Sequence, residues 1–219
     1  MKLYSKLLLS IALIIILALG TMGYIIITNT SENLHAQITK QLKGDVGLAV
    51  SRVGEVQKEF TNIAKVITHN RSIKKSLHLM ESRGVSSILN DLVRIYPYLN
   101  YISVTEPDGF IFSANTIDYL GKKTLGEELL LRNIINNPLF TPPTADKVSA
   151  GQIGKDPYLN TLGQAKNRLS QTFSAEVRKK GDLIGWVALS LDWQSKFDQL
   201  LADIKTQLTG SENAINSVI

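Results

Sequence analysis

The sequence predicts an α+β protein: an N-terminal transmembrane helix, a long helix, then an antiparallel sheet with flanking helices. Three observations predict it. An apolar run without a charged residue occupies positions 7–27, a proline-free stretch with helical spacing of apolar residues extends from there to Pro97, and β-rich segments joined by short turns begin at Leu99.

Residues 7–27 read LLLSIALIIILALGTMGYIII. At about 1.5 Å per residue such a helix spans roughly 30 Å, the thickness of a bilayer core. A cleaved signal peptide is the competing reading, with Lys2 and Lys6 as its basic start and residues 18–20 as small residues for cleavage. The apolar run outlasts the usual signal core of about 7–15 residues and continues through Ile27, which favours a retained helix. Lys2 and Lys6 precede it, whereas the dozen residues after it carry only Glu32. The positive-inside rule then puts residues 1–6 in the cytoplasm and the bulk of the chain outside, as a single-pass inner-membrane protein.

Beyond the anchor, Val46, Ala49, Val53, Val56, Phe60, Ile63 and Ile67 recur at steps of 3 and 4, the spacing of a coiled-coil seam. Leu34, Ile38 and Leu42 extend the stripe upstream. Such a stripe serves a helix lying on its own sheet, a helix meeting its twin in a homodimer, or both, with the lower part for dimerisation and the upper part for the domain. A second helix over about 72–92 follows a break near 69–71 or 83–85.

Residues 99–106 (LNYISVTE) alternate as a strand, Pro107-Asp108-Gly109 supplies a tight turn, and residues 110–115 return as its partner. Residues 126–136 read as a short helix stopped by Asn137-Pro138. Residues 139–157 are rich in Pro, Thr, Gly and Ser and read as loop, with one short strand around 148–153. Residues 168–178 and 183–193 form a second hairpin through a turn at 179–182. The latter strand is the more apolar and therefore central. Residues 194–208 close the module as an amphipathic helix.

The stretches YISVTEPDGFIFSANTIDYLGKK (101–123) and SQTFSAEVRKKGDLIGWVALSLDW (170–193) resemble the opening and closing hairpins of the extracytoplasmic Cache sensor domains, which are PAS-like in fold. The anchor and long helix match that family's layout, and the resemblance covers about 34–208. It implies the sensing region of a chemoreceptor, histidine kinase or diguanylate cyclase type of receptor, without catalytic activity or cofactor of its own. Its expected partner is a small organic acid, amine or amino acid held on the sheet's face. The Arg-x-Trp-Tyr signature of amino-acid-binding members is missing between Gly126 and Ile153. Asp192 falls where such members pair an acid with a ligand amine. The organisation is then a cytoplasmic start (1–6), membrane helix (7–27), stalk and backing helices (28–92), sensor module (93–209), and a linker or the beginning of a further region (210–219).

The residues themselves suggest a pocket beneath the 137–162 loop, because structureless loops of that length usually have a job. Its candidates are Tyr101, Phe112, Tyr119, Arg132, Tyr158, Trp186 and Asp192, with Asp156 and Phe173 beside them. On the last strand Ile184, Trp186, Ala188, Ser190 and Asp192 share the face that carries polar groups. Bland alternatives stand beside each: Trp186 and Phe112 as core, Arg132 as a solvated helix residue, Asp192 as the cap of a helix starting at Gln194.

Other chemistries lack their residues. Net charge is +5, but the basic groups Arg71, Lys74, Lys75 and Arg178, Lys179, Lys180 do not interleave with aromatics as a nucleic-acid surface does. With no cysteine, disulfides, thiolate catalysis and Cys-ligated metals are excluded. His35 lies in the stalk, and His69 and His78, nine residues apart, face opposite sides of a helix. No Gly-x-Ser-x-Gly elbow and no phosphate loop occurs. A membrane-anchored periplasmic module that recognises another protein, with no small ligand, is the alternative function.

Overall fold

A computed structural model describes residues 2–82, 84–145, 147–164 and 168–203, with the side chains of 2–20, 23, 25–27 and 29 outside the described set. The chain divides into two compact units, Met1–Gly54 and Glu55–Ile219. Helix α1 covers Lys2–Thr68. Among the described residues no helix is long and apolar enough to cross a membrane. Most side chains of the predicted span 7–27, and the whole of 210–219, lie outside the described residues.

In the first unit the upstream positions of the seam, Leu34, Ile38, Leu42 and Val46, are exposed. In the second unit the seam is spent on the domain: Val56, Phe60, Ile63 and Ile67 are buried, and Phe60 stacks on Phe173 with ring centroids 5.9 Å apart. The single helix predicted over about 72–92 is instead two, because the chain breaks at both of the places offered as alternatives. Asn70 caps α2 (Arg71–Leu79), its Oδ1 accepting from the backbone N–H of Ser72 and Ile73. Gly84, at φ 87°, precedes α3 (Val85–Ile95). Ile73, Leu77, Val85, Leu89 and Val93 bury the apolar stripes of these two helices.

The strands are β1 (Leu99–Thr105), β2 (Ile111–Ala114), β3 (Ser149–Ala150), β4 (Gly154–Lys155), β5 (Leu169–Lys179) and β6 (Asp182–Asp192). They form a six-stranded antiparallel sheet in the order β2-β1-β6-β5-β3, with β4 also paired to β5. The apolar β6 is central, as its composition predicts. Lys180 and Gly181 join β5 to β6 with φ of 54° and 97°, the double left-handed turn that suits strand twist. Helix α4 covers Tyr158–Thr161, and residues 193–203 form α5. The predicted helix continues to 208, beyond the described residues.

A second element departs from expectation. Residues 126–136 are not an α-helix but two 3-10 turns, Gly126–Leu129 and Ile134–Asn136. Between them the backbone runs along the free edge of β2: Ile111 N–H donates to Arg132 O, and Leu131 N–H donates to Ile111 O. Covering an exposed sheet edge outweighs the helical propensity of this segment.

Candidate functional site

Strict alternation gives the sheet two unlike faces. Ile102, Val104, Phe173, Val187 and Leu189 are buried, and the stacking of Phe60 on Phe173 marks theirs as the face backed by α1. The register sets Tyr101 opposite Ser190, Ser103 opposite Ala188 and Thr105 opposite Trp186 on the other face, continued on β5 by Thr172, Ser174 and Glu176. This second face is small and hydroxylic at its centre. It is covered nonetheless, because Leu129, Ile134, Phe140, Leu159 and Leu162 from the 126–162 segment pack with Tyr101, Ile111, Trp186 and Ala188 in one apolar cluster.

Asp156 fastens that cover. Its Oδ2 accepts from Tyr101 OH at 2.9 Å and Ser190 Oγ at 3.0 Å, and its Oδ1 accepts from Asn137 Nδ2 at 2.8 Å and Tyr158 N–H at 3.0 Å. The carboxylate is 2% exposed. Four donors saturate its lone-pair directions, so the buried charge is held by neutral dipoles alone. Local chemistry aims these groups. Asn137 Oδ1 accepts from Leu139 N–H across Pro138, which turns its amide towards Asp156. Tyr158 begins α4, so its N–H is free to donate. Its phenol donates to Asn133 O at 2.7 Å.

Burial, followed by the charge of Asp156, pushes the Tyr101 phenol well above its ordinary pKa. Burial also raises Tyr158, partly offset by the nearby Arg132 guanidinium. Both phenols are therefore neutral donors at physiological pH.

Three further polar atoms of β1 and β6 stand on this face without a partner among the described residues: Ser103 Oγ, Thr105 Oγ1 and Trp186 Nε1. Thr105 and Trp186 are direct cross-strand neighbours, and Ser103 lies one row along. Phe140 stacks on Trp186 with centroids 5.7 Å apart. Thr172 Oγ1 is likewise buried and unpartnered, on the far side of Ser190. Buried hydroxyls without partners cost about 1–3 kcal/mol each, so a run of them is unusual in a face that serves packing alone.

Of the predicted site residues, Tyr101, Tyr158 and Trp186 converge on this covered face. Tyr119 and Asp192 line a separate open cleft of about 220 Å³ with Asn100, Gln164 and Arg168. There Asp192 is already engaged: it pairs with Arg168 at 2.7 Å and accepts from Ser195 N–H and Oγ, capping α5. Arg132 is exposed, its Nε donating to Glu128 O, and Phe112 sits half-buried at the irregular step of β2. Lys74 and Arg178, from two basic groups about a hundred residues apart, share another surface cleft with Lys65, Lys147 and Glu176. No cluster of His, Asp or Glu suited to a metal occurs among the described residues. Sequence reasoning missed Asn137, Ser103 and Thr105 and undervalued Asp156. Their signal was polar alternation (Ser103, Thr105) in a strand whose other face is apolar.

No sequence family and no curated protein matches the chain. Solved structures do. The domain of a sensory box/GGDEF family protein from Vibrio parahaemolyticus superposes with a TM-score of 0.55 at 13% identity, over 70% of this chain and 59% of that one. The extracellular domain of histidine kinase vpHK1S-Z8 gives 0.55 at 14% identity, over 71% and 57%. The sensor domain of the V. cholerae histidine kinase DctB gives 0.53 at 12%, over 70% and 55%. The match thus spans less than three fifths of each of those domains. At such identities the likeness is one of fold: this chain shares the fold of those three domains, in keeping with the Cache-type, PAS-like arrangement that the sequence resemblance implies.

Proposed function

We propose that this chain is the extracytoplasmic ligand-sensing region of a transmembrane signalling receptor, and that it has no catalytic activity. The observation that carries the reading is the contrast between a cover locked down by Asp156 and the unpartnered polar groups beneath it. A face built to pack would bury paired or apolar atoms; a face built to hold a guest keeps donors and acceptors in reserve.

Residues 7–27 anchor the chain with its N terminus inside, by the length and charge arguments above. The exposed seam Leu34, Ile38, Leu42 and Val46 joins two copies. A guest that prefers one arrangement of cover and sheet shifts the population of the two, and the helices carry that shift to the membrane. The sensor-domain fold supports the role.

A fusion of alkaline phosphatase after residue 203 tests the topology. The expected result is an active enzyme that stays in the membrane pellet after an alkaline carbonate wash. An inactive fusion, or one released by the wash, overturns the anchored extracytoplasmic reading.

The protein-interaction alternative has one observation in its favour. Phe110, Leu130, Leu131 and Ile135 are exposed beside the covered edge of β2, and Leu131, 82% exposed, holds a left-handed φ of 64°. Exposed apolar groups on strained backbone suit a protein partner. Binding of such a partner that survives Leu131→Asp would count against this patch.

A further inference from the structure

A cleft of about 310 Å³ opens beside the outer edge of β5. Its charged walls are Lys65 of α1, His69 just past the end of α1, Lys74 of α2, Lys147 from the turn before β3, and Glu176 and Arg178 of β5. Four cations thus meet one carboxylate. Counting Asp146, the sequence neighbour of Lys147, still leaves two cations for each acid. The basic residues come from segments 65–74 and 147–178, so the fold gathers them and no single charged run does.

The one lining acid is already committed. Glu176 Oε2 accepts from Arg178 Nε at 2.7 Å, and Arg178 Nη1 donates to Gly181 O at 2.7 Å, which turns that guanidinium back into its own hairpin. Thr68 Oγ1 and His69 Nδ1 both donate to Lys65 O, so these polar groups are spent on α1. Lys65, Lys74 and Lys147 have no ion pair among the described residues. Ammonium groups gathered in a cleft without acids repel one another and raise the local concentration of anions.

The strand edge adds a neutral donor. β3 pairs with β5 only at Phe173 and Ser174, and Gly151 N–H donates to Thr172 O across the same edge. By strand alternation Glu176 turns its N–H to that edge as well, past the end of β3. Only Ala175–Val177 continue the edge before the register shifts at Arg178, too short a ladder for an added strand of usual length. The volume sits at the low end of small-molecule clefts, roughly 300–1,000 Å³. Lysine ammoniums are point charges without the planar fork of arginine, so they select by charge number more than by shape.

We infer that Lys65, Lys74 and Lys147, with the edge of β5 beside them, form a binding site for a small oxyanion carrying two or more negative charges on phosphate or carboxylate groups. The inference does not depend on a guest in the covered face.

The full chain in an uncharged detergent would be titrated calorimetrically with pyrophosphate, citrate, acetate and a hexaglutamate peptide at matched ionic strength. Pyrophosphate, citrate or both bind, and acetate does not; whichever binds names the group as phosphate or carboxylate. Lys65→Gln with Lys147→Gln, both exposed, weakens that binding about tenfold, as the loss of two exposed charge pairs implies. Lys74→Gln weakens it as well. Lys122→Gln with Lys123→Gln removes equal charge from exposed positions outside the cleft and leaves the binding unchanged. Melting curves without anion check the fold, and if Lys74→Gln melts lower the exposed pair alone decides.

Equal weakening in the Lys122 and Lys123 variant shows attraction to net charge alone and overturns the site. Acetate binding as strong as that of citrate or pyrophosphate overturns the requirement for two charges. Tighter binding of the peptide than of either small anion gives the cleft to a protein strand instead. No binding of any of the four overturns the proposal outright and leaves the sensing reading untouched.

Discussion

The phenol of Tyr101 donates to the carboxylate of Asp156 at 2.9 Å across 55 residues of chain, joining the middle of the sheet to the segment that covers it. Tyr101 comes from a strand whose position is fixed by its neighbours on both sides. Asp156 comes from a loop with little regular structure of its own. Their bond, with that of Ser190, ties the loop to the middle of the sheet, while β3 and β4 pair it with β5.

Removing either partner should therefore loosen the cover. Tyr101→Phe deletes one hydrogen bond to a charged acceptor and should cost about 1.5–3 kcal/mol. Asp156→Ala strands several donors at once and should cost about 3 kcal/mol or more. Urea unfolding of both variants checks the order, and a Tyr101→Phe loss equal to that of Asp156→Ala would contradict the four-donor arrangement.

The same pair predicts a response to alkali. Folding holds Tyr101 above its ordinary pKa of 10.0, so above about pH 10 the unfolded chain releases a proton that the native chain keeps. Stability is then fully present below that pH and declines as the pH rises towards the folded value, by about 1.4 kcal/mol per pH unit for this one group. Denaturation midpoints from pH 8 to about 11 should show the decline, and Tyr101→Phe should flatten it.

Gly151 gives a steric test of the loop path. A Cβ there would overlap the carbonyl oxygen of Leu139, which is backbone and has no easy retreat. Gly151 N–H also donates to Thr172 O. Gly151→Ala should cost about 3 kcal/mol or more and open the cover. Hydrogen exchange should show faster exchange at residues 137–158 than in β6; unchanged protection would show that the loop takes another course.

The exposed seam of the first unit yields a prediction about assembly. Leu42→Asp together with Val46→Asp should turn a dimer in detergent into a monomer without lowering the melting temperature of the second unit. Sedimentation of the variant and wild type separates the outcomes, and a wild-type monomer would remove the paired-helix mechanism.

Local chemistry made much of this fold legible. Pro107-Asp108-Gly109, the turn at Lys180 and Gly181, and the polar breaks before Arg71 and Val85 each dictate backbone geometry within a few residues. The 126–136 segment was not legible, because its conformation is decided by pairing with Ile111 rather than by its own propensity. The site was half legible. Aromatic residues of the strands pointed to Tyr101 and Trp186. Ser103 and Thr105, by contrast, read as an ordinary solvent-facing alternation until a cover drawn from residues 126–162 is laid over them. Asp156 and Asn137 belong to no periodic pattern, so their meeting is a product of tertiary structure alone.

Strand β6 places Trp186, Ser190 and Asp192 on one rigid rail, and α5 begins at the very next residue, clamped there by the hydrogen bonds from Ser195 to Asp192. No slack loop intervenes to absorb a displacement. The indole end of that rail and the start of α5 therefore belong to one continuous stretch of backbone, which makes the strand a linkage as much as a wall.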